Sequence, residues 1–353
     1  MSSPSLATEA PPPPQRRRGR ERLIDGKLVI GIAVVALLLV ASLFIGVYDI
    51  FGTENGAEMF AITRIPRTVA LVLSGAAMAM CGLIMQLMTQ NRFVEPTTTG
   101  TTEWAGLGLI LVMVMIPDAG LLTRMTVAIV FSFVGTLVFF LFLRKVTLRS
   151  SLIVPIIGIM LGAVVGAVST FVALQFDALQ NLGVWFAGSF TSVLRGNYEV
   201  LWIVLLVGIA VFWVADRLTV IGLGEDIATN VGVNYQRVLL LGTGLVAIAT
   251  GVVTVVVGNL PFLGLIVPNV ISMIRGDDLR TNLPWVCLLG IAIVTVCDLI
   301  GRTIIMPFEV PVSLILGIVG AVVFIALLLR QRRHGCAHSR LPARGAPPPR
   351  RAP

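Results

Sequence analysis

The chain has 353 residues, of which 56% are hydrophobic and only 12% charged, and its mean hydropathy is +0.96. Soluble domains carry roughly 25% charged residues, so the composition excludes a soluble enzyme and indicates an all-α integral membrane protein. The net charge of +8 does not signal nucleic-acid binding. Much of it sits in two tails, P-P-P-P-Q-R-R-R-G-R-E-R within residues 1–27 and R-R-H-G-C-A-H-S-R onward within 332–353. Pro- and Arg-rich tails of this kind are expected to be disordered, cytoplasmic and lipid-facing.

A hydrocarbon core of ~30 Å needs about 20 apolar residues per helix. In chain order, ten apolar segments emerge at 28–48, 66–89, 97–116, 120–143, 151–175, 199–215, 236–257, 262–274, 283–304 and 311–330. The first is read as a retained helix, since no small-residue cleavage site follows it. The eighth is too short to span alone and is expected to be tilted, partial or re-entrant. With the N-terminus in the cytoplasm, the inner side collects both tails, Arg92, Arg144, Lys145, Arg149, Arg217, Arg237, Arg275 and Arg280. The outer side keeps Arg64, Arg67, Arg124 and Arg195, with Arg302 near the outer end of its helix. This asymmetry and the even number of segments place both termini in the cytoplasm.

Two outer loops and one inner loop stand out. Residues 49–65 hold Asp49, Glu54, Glu58 and Arg64. Residues 176–198 hold G-V-W-F-A-G-S-F, apolar enough for a short interfacial or re-entrant helix with Trp185 at headgroup level. The inner loop, 217–237, contains Gly224-Glu225-Asp226 and an amphipathic run with Ile227, Val231 and Val233, broken by Gly232. Acidic residues at a helix N-terminus suit the helix dipole, so a short surface helix is expected there, with an ordinary connecting loop as the alternative.

The chain contains no G-x-x-x-x-G-K-[ST], no H-E-x-x-H and no G-x-S-x-G, and both histidines lie in the C-terminal tail. It carries no phosphate-binding loop of its own, and intramembrane enzyme chemistry is not expected. His334, Cys336 and His338 cluster loosely, but a solvated tail offers nothing to fix a metal geometry, so no metal site is assigned. Glu103 and Asp298 are the carboxylates well inside the segments, and Asp298 can pair with Arg302 one turn later. Two such groups are a thin basis for ion coupling, which keeps a secondary transporter or channel open as the competing class.

Four ordered anchors resemble one family. R-I-P-R at 64–67 precedes the small-residue run L-S-G-A-A-M-A-M-C-G-L-I-M-Q at 73–86. N-R-F-V-E-P follows at 91–96, and L-G-E-D-I-A-T-N-V-G-V-N at 223–234. The last anchor includes Gly264, Leu265, Pro268, Asp278, Arg280, Leu283, Pro284, Asp298, Arg302, Glu309 and Pro311. Over residues 28–331 the chain resembles permease subunits of the FecCD family of ATP-binding-cassette importers for iron-siderophores and cobalamin. It departs from the family pattern at Arg92, Asn269, Ser313, Gly320-Ala321-Val322 and Glu103-Trp104. The F-V-E-P-T-T-T-G-T-T-E form resembles the siderophore branch more than the cobalamin branch. A cobalamin or haem importer is the alternative within the family.

The resemblance implies a homodimer or heterodimer of permeases, two cytoplasmic ATPase subunits that bind ATP and Mg, and an extracytoplasmic binding protein. It implies no cofactor on this chain. Arg64, Arg67 and Arg302 become the candidates for docking the binding protein, with headgroup snorkelling the alternative for Arg67. Gly224, Glu225, Asp226, Ile227, Ala228, Val231, Gly232 and Val233 become the coupling helix. Gln86, Glu103, Pro268 and Asn269 are the candidates for the translocation path, and Asp298 with Arg302 for a structural pair. Gly75, Ala76, Ala77, Ala79 and Gly82 permit close helix packing, within one subunit or along a path.

Overall fold

The computed structural model describes residues 26–46, 56–145 and 153–338, without the side chains of 184–185, 327–328 and 330–338. Asp49, Glu54, Arg149, the tails before 26 and after 338, and the side chains of Trp185, His334, Cys336 and His338 lie outside the described residues.

Within them, every regular element is a helix. They are α1 (Gly26–Phe44), α2 (Gly56–Met59), a π-helical stretch (Phe60–Arg64), α3 (Ile65–Thr89), α4 (Thr101–Met115), α5 (Leu121–Lys145) and α6 (Ile153–Gln175). There follow α7 (Leu179–Phe186), a 3₁₀ turn (Tyr198–Leu201), α8 (Trp202–Ile221), α9 (Glu225–Asn230), α10 (Tyr235–Val256), α11 (Leu263–Arg275), α12 (Leu279–Thr303) and α13 (Val312–His338). Seven helices are long and apolar enough to cross a membrane, and shorter apolar helices lie at Thr101–Met115, Leu263–Arg275 and Val312–Ala326. Each expected segment has its helix.

The differences have physical causes. Residues 56–64, expected as loop, are helical and run into α3 through the π-helical stretch. Pro66 has no N–H for the Ile62 carbonyl one turn back, and the backbone N–H of Arg195 donates to that oxygen instead, at 3.1 Å. α8 continues to Ile221, so the first residues of the expected inner loop are helical. α13 continues to His338, into the expected tail, where Arg and Gln are good helix formers and positive charge suits a helix C-terminus.

α3 is the hub, packed against α8, α10, α11 and α12. Its small residues allow backbones to meet. A Cβ on Gly82 would come within 1.9 Å of the Gly264 carbonyl oxygen in α11, and one on Gly290 of α12 within 2.5 Å of the Gly75 oxygen. At these two positions the small residues close contacts within one subunit.

α11 has 13 residues and is about 20 Å long at 1.5 Å per residue, short of the bilayer core. Its N-terminus lies inside the bundle, after Phe262 in the left-handed region at φ +63°. The Glu95 carboxylate, 1% exposed, accepts the Phe262 N–H at 2.8 Å and the Thr97 hydroxyl at 2.5 Å. A carboxylate from another loop thus caps the buried helix start and meets the positive end of its dipole. The Thr-rich segment that carries Glu95 is tied onward by hydroxyl contacts, Thr99 to Thr101 at 3.0 Å and Thr101 to Thr136 of α5 at 2.9 Å.

Candidate functional site: two polar ends of a membrane bundle

At one end, the ends of α1, α3 and α12 meet in a charged cluster. Asp298 pairs with Arg302 one turn later on α12, and with Arg67 of α3 at 2.7 Å. Arg67 also holds Glu309 at 2.8 Å, and Thr191 donates to the same carboxylate at 2.7 Å. Arg302 donates to the carbonyls of Ser42 and Ile45, at 3.0 and 2.9 Å, at the end of α1. Arg64 donates to Ile45 as well, at 2.5 Å. Glu309 stands in the turn after α12. Burial alone would raise its pKa, but the hydrogen bonds and charge of Arg67, the Thr191 hydroxyl and Arg302 outweigh that and hold it below the usual carboxylate value.

This geometry changes the reading of the outer arginines. Arg302 is 1% exposed and Arg64 8%, and Arg67 is committed to two carboxylates. The docking role expected of Arg302 is not available to a guanidinium sealed inside the protein. Arg64 and Arg67 likewise face inward, so the three do not form a free basic rim. The expected Asp298–Arg302 pair is present, and it is the centre of a larger network. Glu309 belongs to it and was not singled out for a role from sequence. Its F-E-V-P turn gave only a position.

The candidates for a path sit in the α3–α11 contact. Pro268 removes an N–H from the Gly264 carbonyl one turn earlier. Gln86 donates to that carbonyl at 3.3 Å and to Leu265 at 3.4 Å. Asn269 donates to Leu265 and to Arg92, both at 2.7 Å. Gln86, Pro268 and Asn269 are all buried, and their polar groups serve the broken helix rather than a lumen within this subunit. Glu103 stands apart, half-buried in the first turn of α4, with Thr102 donating to it at 2.9 Å. Glu95, buried more deeply, was missed because it lies between the counted segments. The signal was a lone carboxylate between Val94 and Pro96.

The opposite end is built differently. Gly224 (φ +113°) and Gly232 (φ +83°) bracket α9, both in backbone conformations that suit glycine. Ala228 is fully buried, while Leu223, Ile227 and Val231 are 60%, 47% and 68% exposed. Ile227 and Val231, four residues apart and joined by the Val231 N–H to Ile227 carbonyl bond, lie on one face, and Leu223 precedes the helix in the turn at Gly224. The turn before α9 rests on the end of α3, where a Cβ on Gly224 would lie 3.1 Å from the Gln90 amide nitrogen and one on Gly222 2.8 Å from Leu87. Nearby pairs are solvent-exposed: Arg280–Asp216 at 2.7 Å and Arg92–Asp277 at 2.8 Å.

A multi-pass helical bundle, with a short capped half-helix inside and a short surface helix flanked by exposed apolar residues at one end, defines the class: a membrane permease. The FecCD transport family matches residues 28–330, and the chain belongs to that family. It is 63% identical over 305 residues to the petrobactin import system permease protein FatD of Bacillus anthracis, covering 86% of this chain and 91% of the relative. It is 40% identical to the ferric-anguibactin transport system permease protein FatD of Vibrio anguillarum, covering 83% and 95%. In fold it is similar to an inward-facing metal-chelate type ABC transporter, with a TM-score of 0.75 at 23% identity, covering 86% and 99%.

Proposed function

We propose that the chain is the permease subunit of an ATP-binding-cassette importer that carries a ferric siderophore across the bacterial plasma membrane. The high identity to a petrobactin permease over nearly the whole chain carries the substrate class. The named relatives act on iron chelates of different chemistry, which supports the class rather than one compound. Both tails and α9 face the cytoplasm in this reading. Lys27 at the start of α1 and Arg275 at the end of α11 line one cleft, consistent with α1 beginning at the end that holds α9.

The physical case for coupling is the exposed apolar side chains at and beside α9: Leu223, Ile227 and Val231. Such apolar area on a polar surface suits a groove in a partner, here one ATPase subunit. Rigid-body motion of α9 would reach the core through Gln90 and Leu87 of α3, then through the Gly82–Gly264 contact to α11. The path for substrate would lie between two permeases, since the buried polar groups of this one are engaged in its own packing. On the outer face, Arg195 is exposed and is the guanidinium best placed for a carboxylate of the binding protein.

The test is uptake of radiolabelled iron chelate into proteoliposomes holding the permease with its ATPase and binding protein. Uptake is expected to require ATP, to survive collapse of ion gradients and to be displaced by unlabelled ferric siderophore but not by cobalamin. Uptake without ATP that disappears with the ion gradient would identify a secondary transporter instead.

A further inference from the structure

At the end of the bundle that holds α9, α5 and α10 leave a groove between them that the coupling reading does not use. Leu137, Phe140 and Leu141 of α5 and Leu239 and Leu240 of α10 form its wall, and Arg144 and Gln236 stand at its mouth. It runs about 10 Å along α5 from Arg144 to Leu137, at 1.5 Å per residue. Thr243, at the far end, donates its hydroxyl to the Leu239 carbonyl at 2.9 Å, which leaves the interior apolar. The mouth is basic. Arg144 and Lys145 end α5, and Arg237 follows Gln236 in the first turn of α10. All three side chains are exposed, and none forms an ion pair among the described residues. No Asp or Glu occurs between Asp118 and Asp177, between Asp226 and Asp277 or after Glu309. The stretch 146–152, outside the described residues, therefore adds Arg149 and no carboxylate. The acidic residues of this end are placed elsewhere. Asp216 is held by Arg280 at 2.7 Å and Asp277 by Arg92 at 2.8 Å, and Asp278 accepts the backbone N–H of Arg280. Glu225 and Asp226 open α9, where they meet the positive end of its dipole. Glu9, Glu21 and Asp25 precede α1, which packs on α12 and α3.

We propose that this groove binds an anionic phospholipid, its phosphate at Arg144 and Gln236 and one acyl chain along the apolar wall. A narrow trough that is cationic at its mouth and hydrocarbon beyond has the polarity order of such a lipid, and basic pockets between membrane helices bind these headgroups. A soluble partner does not match it. The wall lies on the side of the bundle, where Leu141, Phe142, Leu240 and Leu241 are 59%, 50%, 51% and 44% exposed. Both helices are long and apolar enough to cross a membrane. The groove therefore opens to hydrocarbon, and only its mouth reaches the aqueous boundary. A lipid held there bridges the end of α5 and the start of α10, beside α9. The assignment of leaflet rests on the orientation proposed above; the binding does not.

The test is native mass spectrometry of the full-length protein released from detergent after exchange into phosphatidylglycerol or phosphatidylcholine. The wild type is expected to retain phosphatidylglycerol at collision energies that strip phosphatidylcholine. Its thermal midpoint should rise with added phosphatidylglycerol, as binding to the folded state requires, and not with inorganic phosphate. Arg144→Gln with Lys145→Gln and Arg237→Gln should lose retained phosphatidylglycerol and most of that rise. Arg344→Gln with Arg350→Gln and Arg351→Gln removes the same charge from the C-terminal tail and should lose neither. Leu240→Trp, which fills the trough and leaves the charges, should behave as the first triple variant does. Equal retention of the two lipids by the wild type, or equal losses from the two triple variants, would overturn the proposal. So would a midpoint raised as far by inorganic phosphate as by the lipid, or retention unchanged in Leu240→Trp. Unchanged lipid retention with lost binding of the ATPase subunit in the first triple variant would assign these cations to that partner instead. Transport activity enters none of the lipid readouts, so their failure leaves the importer reading standing.

Discussion

The two ends of the bundle both carry ion pairs, and they use them in opposite ways. At the end that holds Glu309, Asp298 and Arg302 have 0% and 1% of their side-chain surface exposed, and Arg67 has 12%. Positive and negative groups there neutralise one another and tie α1, α3, α12 and the Glu309 turn together. At the end that holds α9, Arg280 and Asp216 are 44% and 67% exposed, and Arg92 and Asp277 are 47% and 59%. Burial makes the first set costly to separate, while water makes the second set easy to rearrange. A transporter that moves needs both. One end keeps helix ends in register, and in the proposed function the other follows an ATPase subunit that changes shape.

The contrast can be broken or sharpened by substitution. Asp298→Asn leaves Arg67 and Arg302 without their shared charge, and removal of one partner of a buried pair costs about 3–5 kcal/mol. Its thermal midpoint in detergent should fall furthest of all variants considered. Gln86→Leu deprives the Gly264 carbonyl of its donor in the α3–α11 contact, at about 1–3 kcal/mol for an unsatisfied buried group. The same thermal assay should show a smaller drop. Acidification sharpens the Glu309 end separately. Glu309 has a folded pKa below its ordinary 4.5, so its stabilising contribution is complete above that value and is lost as pH falls through the folded one. The acid limb of the stability curve should therefore flatten in Glu309→Gln. At the α9 end, Arg280→Ala breaks an exposed pair worth about 0–1 kcal/mol, and stability should barely change. A loss for Arg280→Ala as large as for Asp298→Asn would erase the distinction.

The ten apolar helices were legible from hydropathy, because a bilayer demands long apolar runs, whereas the helix at 56–64 was not. Even the short α11 stood out, through Pro268 and the glycines around it. Charge roles were less legible. R-I-P-R reads as a basic outer rim when its arginines are counted along the chain. Only the fold brings Asp298 and Glu309, more than two hundred residues away, against Arg67. The same holds for Gln86 and Asn269. A polar residue on an apolar helix looks like part of a path until the carbonyls freed by a proline on another helix are placed beside it. Glu95 was hidden for a related reason: its partner, the N-terminus of α11, is a backbone feature with no residue code. α9, by contrast, was readable, because glycine brackets, acidic first-turn residues and the Ile227–Val231 spacing are all local.

The most direct measurement compares ATP hydrolysis with chelate uptake in proteoliposomes carrying Gly232→Pro beside the wild type. Proline fixes φ near −65° where this turn needs +83°, so α9 loses its set position between α8 and α10 while the Asp298 network is untouched. Hydrolysis by the partner ATPase should continue and uptake should fall to background. Uptake at the wild-type ratio to ATP hydrolysed would contradict the assignment of α9 as the element that couples the two.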